Sequence, residues 1–97
     1  MMKKIPAALK PIKKVLDNPS LSISEKMTCI VLYMNAGNNG EITITTKELA
    51  ELVGCSVRAV QGNINNLNKL RVVTREVQFV ELENFQQTAN KYILHFL

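Results

Sequence analysis

Apolar residues between positions 22 and 36 recur every three or four residues, the period of a helix with one face in a core. Ser22 and Glu25 have the spacing of a capping box, in which each side chain bonds the other residue's backbone amide. The Asn- and Gly-rich residues 35–40 end the pattern. The sequence therefore predicts a first core helix over residues 23–36. Its expected inward residues are Ile23, Met27, Ile30, Val31 and Met34, widened by Cys29 and Leu32.

A short alternating segment and a second capped helix follow. The β-branched residues alternate over 41–45, which predicts a strand. Thr45 and Glu48 repeat the capping-box spacing, which predicts a helix over residues 46–53. Gly54 is placed to end this helix in the left-handed conformation that glycine adopts cheaply. The expected inward residues of this helix are Leu49, Leu52 and Val53.

A third helix and two strands complete the pattern. Ser56 is the expected cap of a helix over residues 57–70. The expected inward residues of this helix are Val60, Ile64, Leu67 and Leu70. Beyond it the apolar period becomes two, which predicts strands over 72–80 and 90–97, with the polar residues 81–89 as a hairpin loop. The predicted fold class is mainly α with a small antiparallel β-sheet.

The first 21 residues differ in composition from the rest of the chain. They contain all three prolines and a cluster of lysines. Apolar residues at near-helical spacing predict a short helix after Pro6, although Pro11 interrupts the pattern. We therefore expect a basic, proline-containing arm over residues 1–21 and one domain over residues 22–97. The lysines of the arm are Lys3, Lys4, Lys10, Lys13 and Lys14.

Charge is unevenly distributed along the chain, whose formal net charge at pH 7 is +4. Residues 56–75 contain no acid, and their bases are Arg58, Lys69, Arg71 and Arg75. Residues 76–88 contain no base, and their acids are Glu76, Glu81 and Glu83. A polyanion is therefore expected to bind the basic arm and the segment 56–75. The arm has a simpler alternative, an ordinary solvated terminus.

Composition and chemistry exclude several other classes of protein. The 97 residues, 46% apolar and 21% charged, are expected to form one globular domain. No stretch approaches the roughly 20 apolar residues of a membrane span. Cys29 and Cys55 are too few for a disulfide framework and His95 is the only histidine, so no metal or cofactor is expected. No phosphate loop, nucleophile elbow or acid–base pair is present, so we expect a protein that is not an enzyme. The two cysteines are expected to be reduced thiols, which favours a cytoplasmic location.

Residues 46–60 combine a short helix, a Gly-containing turn and a capped second helix, which is typical of a helix-turn-helix. The chain resembles the winged helix-turn-helix domains of bacterial regulators and of phage and plasmid replication proteins, over Leu21 to Leu97. The resemblance rests on Leu21-Ser22 with Glu25-Lys26, Thr45-Thr46-Lys47-Glu48-Leu49-Ala50, Gly54-Cys55-Ser56-Val57-Arg58-Ala59-Val60-Gln61, Asn65-Asn66-Leu67, Leu70-Arg71-Val72-Val73 and Thr88-Ala89-Asn90-Lys91-Tyr92-Ile93-Leu94. It implies a three-helix core with a β-hairpin wing.

In that family the helix after the glycine turn lies in the DNA major groove, and the hairpin touches the backbone or the minor groove. The resemblance implies that DNA is contacted by the outward residues of this helix, Ser56, Val57, Arg58, Gln61, Gly62, Asn65 and Lys69. Arg58 is expected at guanine, and Gln61 or Asn65 at adenine. Phosphate contacts are implied for Thr45, Thr46, Lys47, Lys69, Arg71 and Arg75. The basic arm would add auxiliary, salt-sensitive contacts.

The expected function is sequence-specific binding of double-stranded DNA, by a transcriptional regulator or an accessory factor of replication or recombination in a bacterium, phage or plasmid. A homodimer is expected, because one such module buries too little surface for tight selectivity. An alternative is a protein-interaction or oligomerisation module without base readout, as in some primosomal proteins. Gly62, the asparagines of the third helix and the acidic hairpin favour this alternative. Glu81 and Glu83 would repel phosphate, so few DNA contacts are expected from the hairpin.

Overall fold

The computed structural model describes residues 6–82 and 85–97, and the side chains of all of these except residues 78–82 and 85–88. These residues form an α+β architecture with four α-helices and a three-stranded antiparallel sheet. In chain order the elements are a 3-10 helix (Ala7–Leu9), α1 (Lys10–Leu16), α2 (Ile23–Asn35), β1 (Glu41–Ile44), α3 (Thr46–Val53), α4 (Val57–Lys69), β2 (Val73–Leu82) and β3 (Phe85–Leu94). None of the helices in the described residues is long and apolar enough to cross a membrane.

The predicted caps of the three main helices are confirmed. The Ser22 hydroxyl accepts from the Glu25 amide at 3.1 Å, and the Glu25 carboxylate accepts from the Ser22 amide at 2.8 Å. Thr45 and Ser56 cap α3 and α4 in the same position. Gly54 ends α3 with φ of 83°, the left-handed conformation expected of it. These local signals fixed the helix starts because each satisfies an amide that the helix leaves unpaired.

The sheet has the strand order β1-β3-β2, and the long β2–β3 hairpin extends beyond β1. Every residue from Val73 to Leu82 pairs with a residue of β3, whereas β1 pairs only with residues 90–93. The predicted hairpin loop over residues 81–89 is therefore wrong, and the last strand ends at Leu94 rather than continuing to residue 97. The loop was predicted from the polar side chains of this segment. Pairing between strands, however, uses backbone amide and carbonyl groups, which every residue other than proline provides.

The core lies between the helices and one face of the sheet. Val15 of α1 and Leu21 are buried in it, so the described residues of the expected arm also contribute to packing. Pro11 lies in the first turn of α1, where backbone amides have no helical partner to lose. The buried apolar residues are Val15, Leu21, Cys29, Leu32, Ile44, Leu49, Ala50, Val60, Ile64, Leu67, Val73, Tyr92, Leu94 and Phe96.

The prediction of the inward residues of α2 is confirmed for Cys29 and Leu32, which are buried, and wrong for three others. Ile23 is 86% exposed, Met27 46% and Met34 74%. α2 also buries two polar residues that the apolar pattern did not include, Glu25 and Thr28. The polar members of this buried face have hydrogen-bond partners, which removes the usual penalty of burying them.

Two further residues expected inward are exposed. Leu52 lies on α3 one turn beyond the exposed Glu48 and is 51% exposed. Leu70 is the residue after the last turn of α4 and is 43% exposed. Leu49, Val60, Ile64 and Leu67 are buried as predicted. Periodicity located the buried stripes of α3 and α4 and failed at their edges, whereas on α2 it missed the centre of the stripe.

Candidate nucleic-acid interface

α4 has one buried face and one face in solvent. Val60, Ile64 and Leu67 lie on the buried face. On the opposite side, and at the first residue before the helix, lie seven exposed residues that we call the α4 surface: Ser56, Val57, Arg58, Gln61, Gly62, Asn65 and Lys69. Residues three and four apart share a helix face, so the structure brings these predicted contacts together.

Two asparagines hold α4 against α2. The Asn63 amide group donates to the Ser24 hydroxyl at 2.7 Å and to the Thr28 hydroxyl at 3.2 Å. The Asn66 amide group donates to the Glu25 carboxylate at 2.5 Å. Unlike the exposed Asn65, these two asparagines lie beside the buried stripe and point at the neighbouring helix. The orientation of the α4 surface depends on this polar contact.

The carboxyl end of α4 is closed by a Schellman motif. The Val72 amide donates to the Leu67 carbonyl at 3.0 Å, and the Arg71 amide donates to the Asn68 carbonyl at 3.2 Å. The motif requires a left-handed residue at position 71, and Arg71 has φ of 58°. Among the described residues it is the only non-glycine residue with positive φ. Its exposed side chain adds a cation at the end of the helix.

The cations of this region have no ion-pair partners in the part of the chain whose side chains are described. There the ion pairs are Lys13 with Asp17 and Lys91 with Glu41. Arg58, Lys69 and Arg71 are exposed, and Arg75 is half-buried, with its backbone amide donating to Asn68 Oδ1 at 3.3 Å. The segment 56–75 contains no acid that could neutralise them. Positive charge is therefore concentrated on the exposed side of α4 and at its carboxyl end.

The two threonines at the start of α3, for which the resemblance implies phosphate contacts, have hydrogen-bond partners within the chain. Thr45 is 9% exposed, and its hydroxyl accepts from the Glu48 amide and donates to the Glu48 carboxylate at 2.9 Å. The Thr46 hydroxyl accepts from the Asn90 amide group at 3.2 Å. Both hydroxyls therefore have internal partners. Lys47 is exposed but shares the solvent side of α3 with the exposed acids Glu48 and Glu51.

The lysines of α1 lie on a different side of the molecule from α4. The Tyr33 hydroxyl donates to the Ala8 carbonyl, and the Lys26 amine donates to the Leu16 carbonyl, each at 2.6 Å. Tyr33 and Lys26 lie on the side of α2 opposite to Ser24 and Thr28, which contact α4. The lysines in this helix are exposed, namely Lys10, Lys13 and Lys14. Lys3 and Lys4 lie outside the described residues.

The two cysteines and the histidine lie in surroundings that favour a role in packing or hydrogen bonding. Burial, and to a smaller extent the Glu25 charge, raises the pKa of the Cys29 thiol to about 12, so the reactive thiolate is disfavoured. Cys55 is half-buried in the turn between α3 and α4. His95 is exposed, and its Nε2 is hydrogen-bonded to the Thr74 hydroxyl at 2.8 Å. The side chains of Glu81 and Glu83 lie outside the described part of the chain.

Comparison with known proteins adds no family to this description. No family model matches the sequence, and no curated protein is significantly similar to it.

Proposed function

We propose that this chain is a winged helix-turn-helix protein that binds double-stranded DNA through the α4 surface. The observation that carries the proposal is the exposed face of α4, whose cations lack ion-pair partners among the described side chains. The arrangement of α3, a Gly54 turn and α4 supports a helix-turn-helix. The β2–β3 hairpin occupies the place that a wing would have after the third core helix.

The dimensions of α4 suit the major groove. Its 13 residues span about 20 Å, and a groove about 12 Å wide admits one helix. Arg58 lies in the first turn, where such helices contact base edges, and its fork matches guanine O6 and N7. Gln61 and Asn65 follow at one-turn intervals and match the hydrogen-bonding edge of adenine.

Phosphate contacts would lie on both sides of these proposed base contacts. The unpaired amides at the start of α4 favour an anion there. Lys69 and Arg71 supply cations at the other end, with Arg75 beyond them on β2. From α3 the proposed contacts are Lys47 and the Thr46 hydroxyl, which accepts from Asn90 and keeps its proton for a phosphate. The Thr45 hydroxyl gives its proton to Glu48 and is not proposed as a contact. Such a protein would act as a transcriptional regulator or as an accessory factor of replication or recombination.

The test is binding to duplexes selected from a random pool, measured over a series of salt concentrations. Arg58→Ala and Gln61→Ala should each cost roughly 1–3 kcal/mol of binding and relax the preference at one base position. Lys69→Ala should weaken binding equally for all sequences and reduce the salt slope by about 1. Lys91→Ala is the matched control, since Lys91 pairs with Glu41 away from α4, and it should leave affinity unchanged.

The same measurement can reject the proposal. Unchanged duplex affinity in both Arg58→Ala and Gln61→Ala would exclude the α4 surface as the interface. That result would favour the protein-interaction module expected as the alternative from the sequence.

A further inference from the structure

We propose that α2 forms an antiparallel, two-fold contact with α2 of a second copy of this chain. The starting observation is a row of apolar side chains along the solvent side of α2, which we call the α2 stripe: Ile23, Met27, Ile30 and Met34. Ile23, Met27 and Met34 are exposed, whereas Ile30 is partly buried and also packs against the core. Spacings of four, three and four place them on one helix face, opposite the face that α2 buries.

The spacing of the α2 stripe is the same in both directions. An antiparallel pair of helices centred between Met27 and Ile30 therefore brings each stripe residue to a stripe residue. Ile23 meets the partner's Met34, and Met27 meets the partner's Ile30. A two-fold axis requires such self-complementarity, since the same patch must fit its own copy. The unbranched methionines adapt to small errors of fit.

Neighbouring residues of the amino-terminal segment extend the apolar surface. α1 runs antiparallel to α2, as the bonds from Tyr33 to Ala8 and from Lys26 to Leu16 show. Leu9 and Leu16 are 47% and 51% exposed, on the side of this segment away from Pro11. Pro11 and Tyr33 line a cavity on the other side, and the bond from Lys26 holds Leu16 beside α2. A stable interface buries roughly 800 Å² per partner. The α2 stripe approaches that area only if the contact also covers these two leucines.

Charge also favours a second copy as the occupant. An isologous contact sets the groups near its two-fold axis beside their own equivalents, so an uncompensated charge in its centre would repel itself. The charged residues of α2 are Glu25, which is buried, and Lys26, whose amine is bound to the Leu16 carbonyl. The centre of the stripe is therefore uncharged.

The contact leaves α4 accessible, because α4 packs against the other side of α2 through Asn63 and Asn66. A dimer formed in this way would present two α4 surfaces. Only this consequence rests on the proposed function. Dimerisation itself is measured without DNA, so its failure and a failure of DNA binding are distinguishable.

The test is the molar mass of the whole chain, measured by sedimentation or light scattering over a range of concentrations. The wild-type chain should be a dimer that dissociates on dilution. Ile23→Glu and Met34→Lys should each weaken the dimer about tenfold or more. Both changes are at exposed positions, with the acid at the helix start and the base near its end, where they suit the helix dipole. Thermal unfolding checks that each variant is folded.

The register is tested by combining the two changes. In the antiparallel contact the new carboxylate at position 23 faces the new ammonium at position 34 of the partner. The double variant, and an equimolar mixture of the two single variants, should therefore dimerise better than either single variant. Within one chain the two positions are about 16 Å apart, so the recovery cannot arise inside one copy.

Leu52→Glu is the matched control, an apolar-to-acid change at a half-exposed helix position outside the surface, and it should leave dimerisation unchanged. The proposal is overturned if the wild-type chain stays monomeric, if the single variants dimerise normally, or if Leu52→Glu is equally disruptive. A double variant without recovery overturns the antiparallel register. Binding of wild-type monomers to anionic lipid vesicles, lost in Ile23→Glu, would assign the surface to a membrane instead.

Discussion

Arg71 occupies a position that the backbone reserves for glycine. A side chain in the left-handed conformation costs roughly 1–2 kcal/mol, and the Schellman motif of α4 requires that conformation at residue 71. An arginine there is a poor choice for stability but places an exposed cation at the end of α4. Stability and the proposed phosphate contact therefore oppose each other at this residue.

Replacing Arg71 separates the two effects. Arg71→Gly should raise the free energy of unfolding by about 1 kcal/mol, because it removes the left-handed strain. Arg71→Ala keeps the strain and should not stabilise. Both variants lose the cation, so both should weaken duplex binding and lower its salt slope by about 1. Urea unfolding and a salt titration measure the two quantities, and a stabilised glycine variant with full affinity would remove Arg71 from the interface.

Gly62 and Gly54 respond differently to the same substitution. A Cβ added at either glycine meets no atom within 4 Å, but only Gly54 has positive φ. Gly62→Ala should therefore raise the free energy of unfolding by about 1 kcal/mol through helix propensity. Gly54→Ala should lower it by about 1 kcal/mol through left-handed strain. Chemical unfolding of both variants decides this, and a destabilised Gly62→Ala would contradict the ordinary helical environment assigned to it.

At the scale of elements, α4 is fixed on α2 by asparagines and exposes another asparagine to solvent. Asn66→Ala should lower the free energy of unfolding by roughly 1–3 kcal/mol, because the buried Glu25 carboxylate loses a donor. Asn65→Ala is the neighbouring control, exposed on the α4 surface, and should change stability by less than about 0.5 kcal/mol. Under the proposed function Asn65→Ala weakens duplex binding instead. Equal stability of the two variants would show that the contact with Glu25 does not hold the helices.

Local signals in the sequence predicted most of the elements and missed how they are rotated and how far they extend. Ser22, Thr45 and Ser56 located the helix starts because a cap depends on neighbours in sequence. The inward face of α2 was predicted from apolar spacing alone. Its true face depends on Asn63 and Asn66, about 40 residues away in sequence. The extent of the β2–β3 hairpin was missed for a similar reason, since pairing is a property of two strands together.

The predicted outward face of α4 agrees with the structure better than the predicted inward face of α2, and polarity explains the difference. On α4 the apolar residues occupy a single stripe, so only one rotation buries them. On α2 the apolar residues occupy both sides, with Cys29 and Leu32 opposite Ile23 and Met34. Hydrophobicity alone does not determine which of two such faces is buried. The buried face is determined by polar groups that need hydrogen-bond partners.

At the scale of the whole molecule, α2 is the element that relates the two proposed surfaces. The Glu25 carboxylate bonds the Ser22 amide and the Asn66 side chain at once, so the same group caps α2 and sets its rotation against α4. That rotation necessarily turns Ile23 and Met34 to solvent. Exposed apolar area costs about 25 cal/mol per Å², a cost that covering the stripe with a second copy would recover. The buried polar contact that orients α4 thus also creates the apolar face proposed to pair two copies.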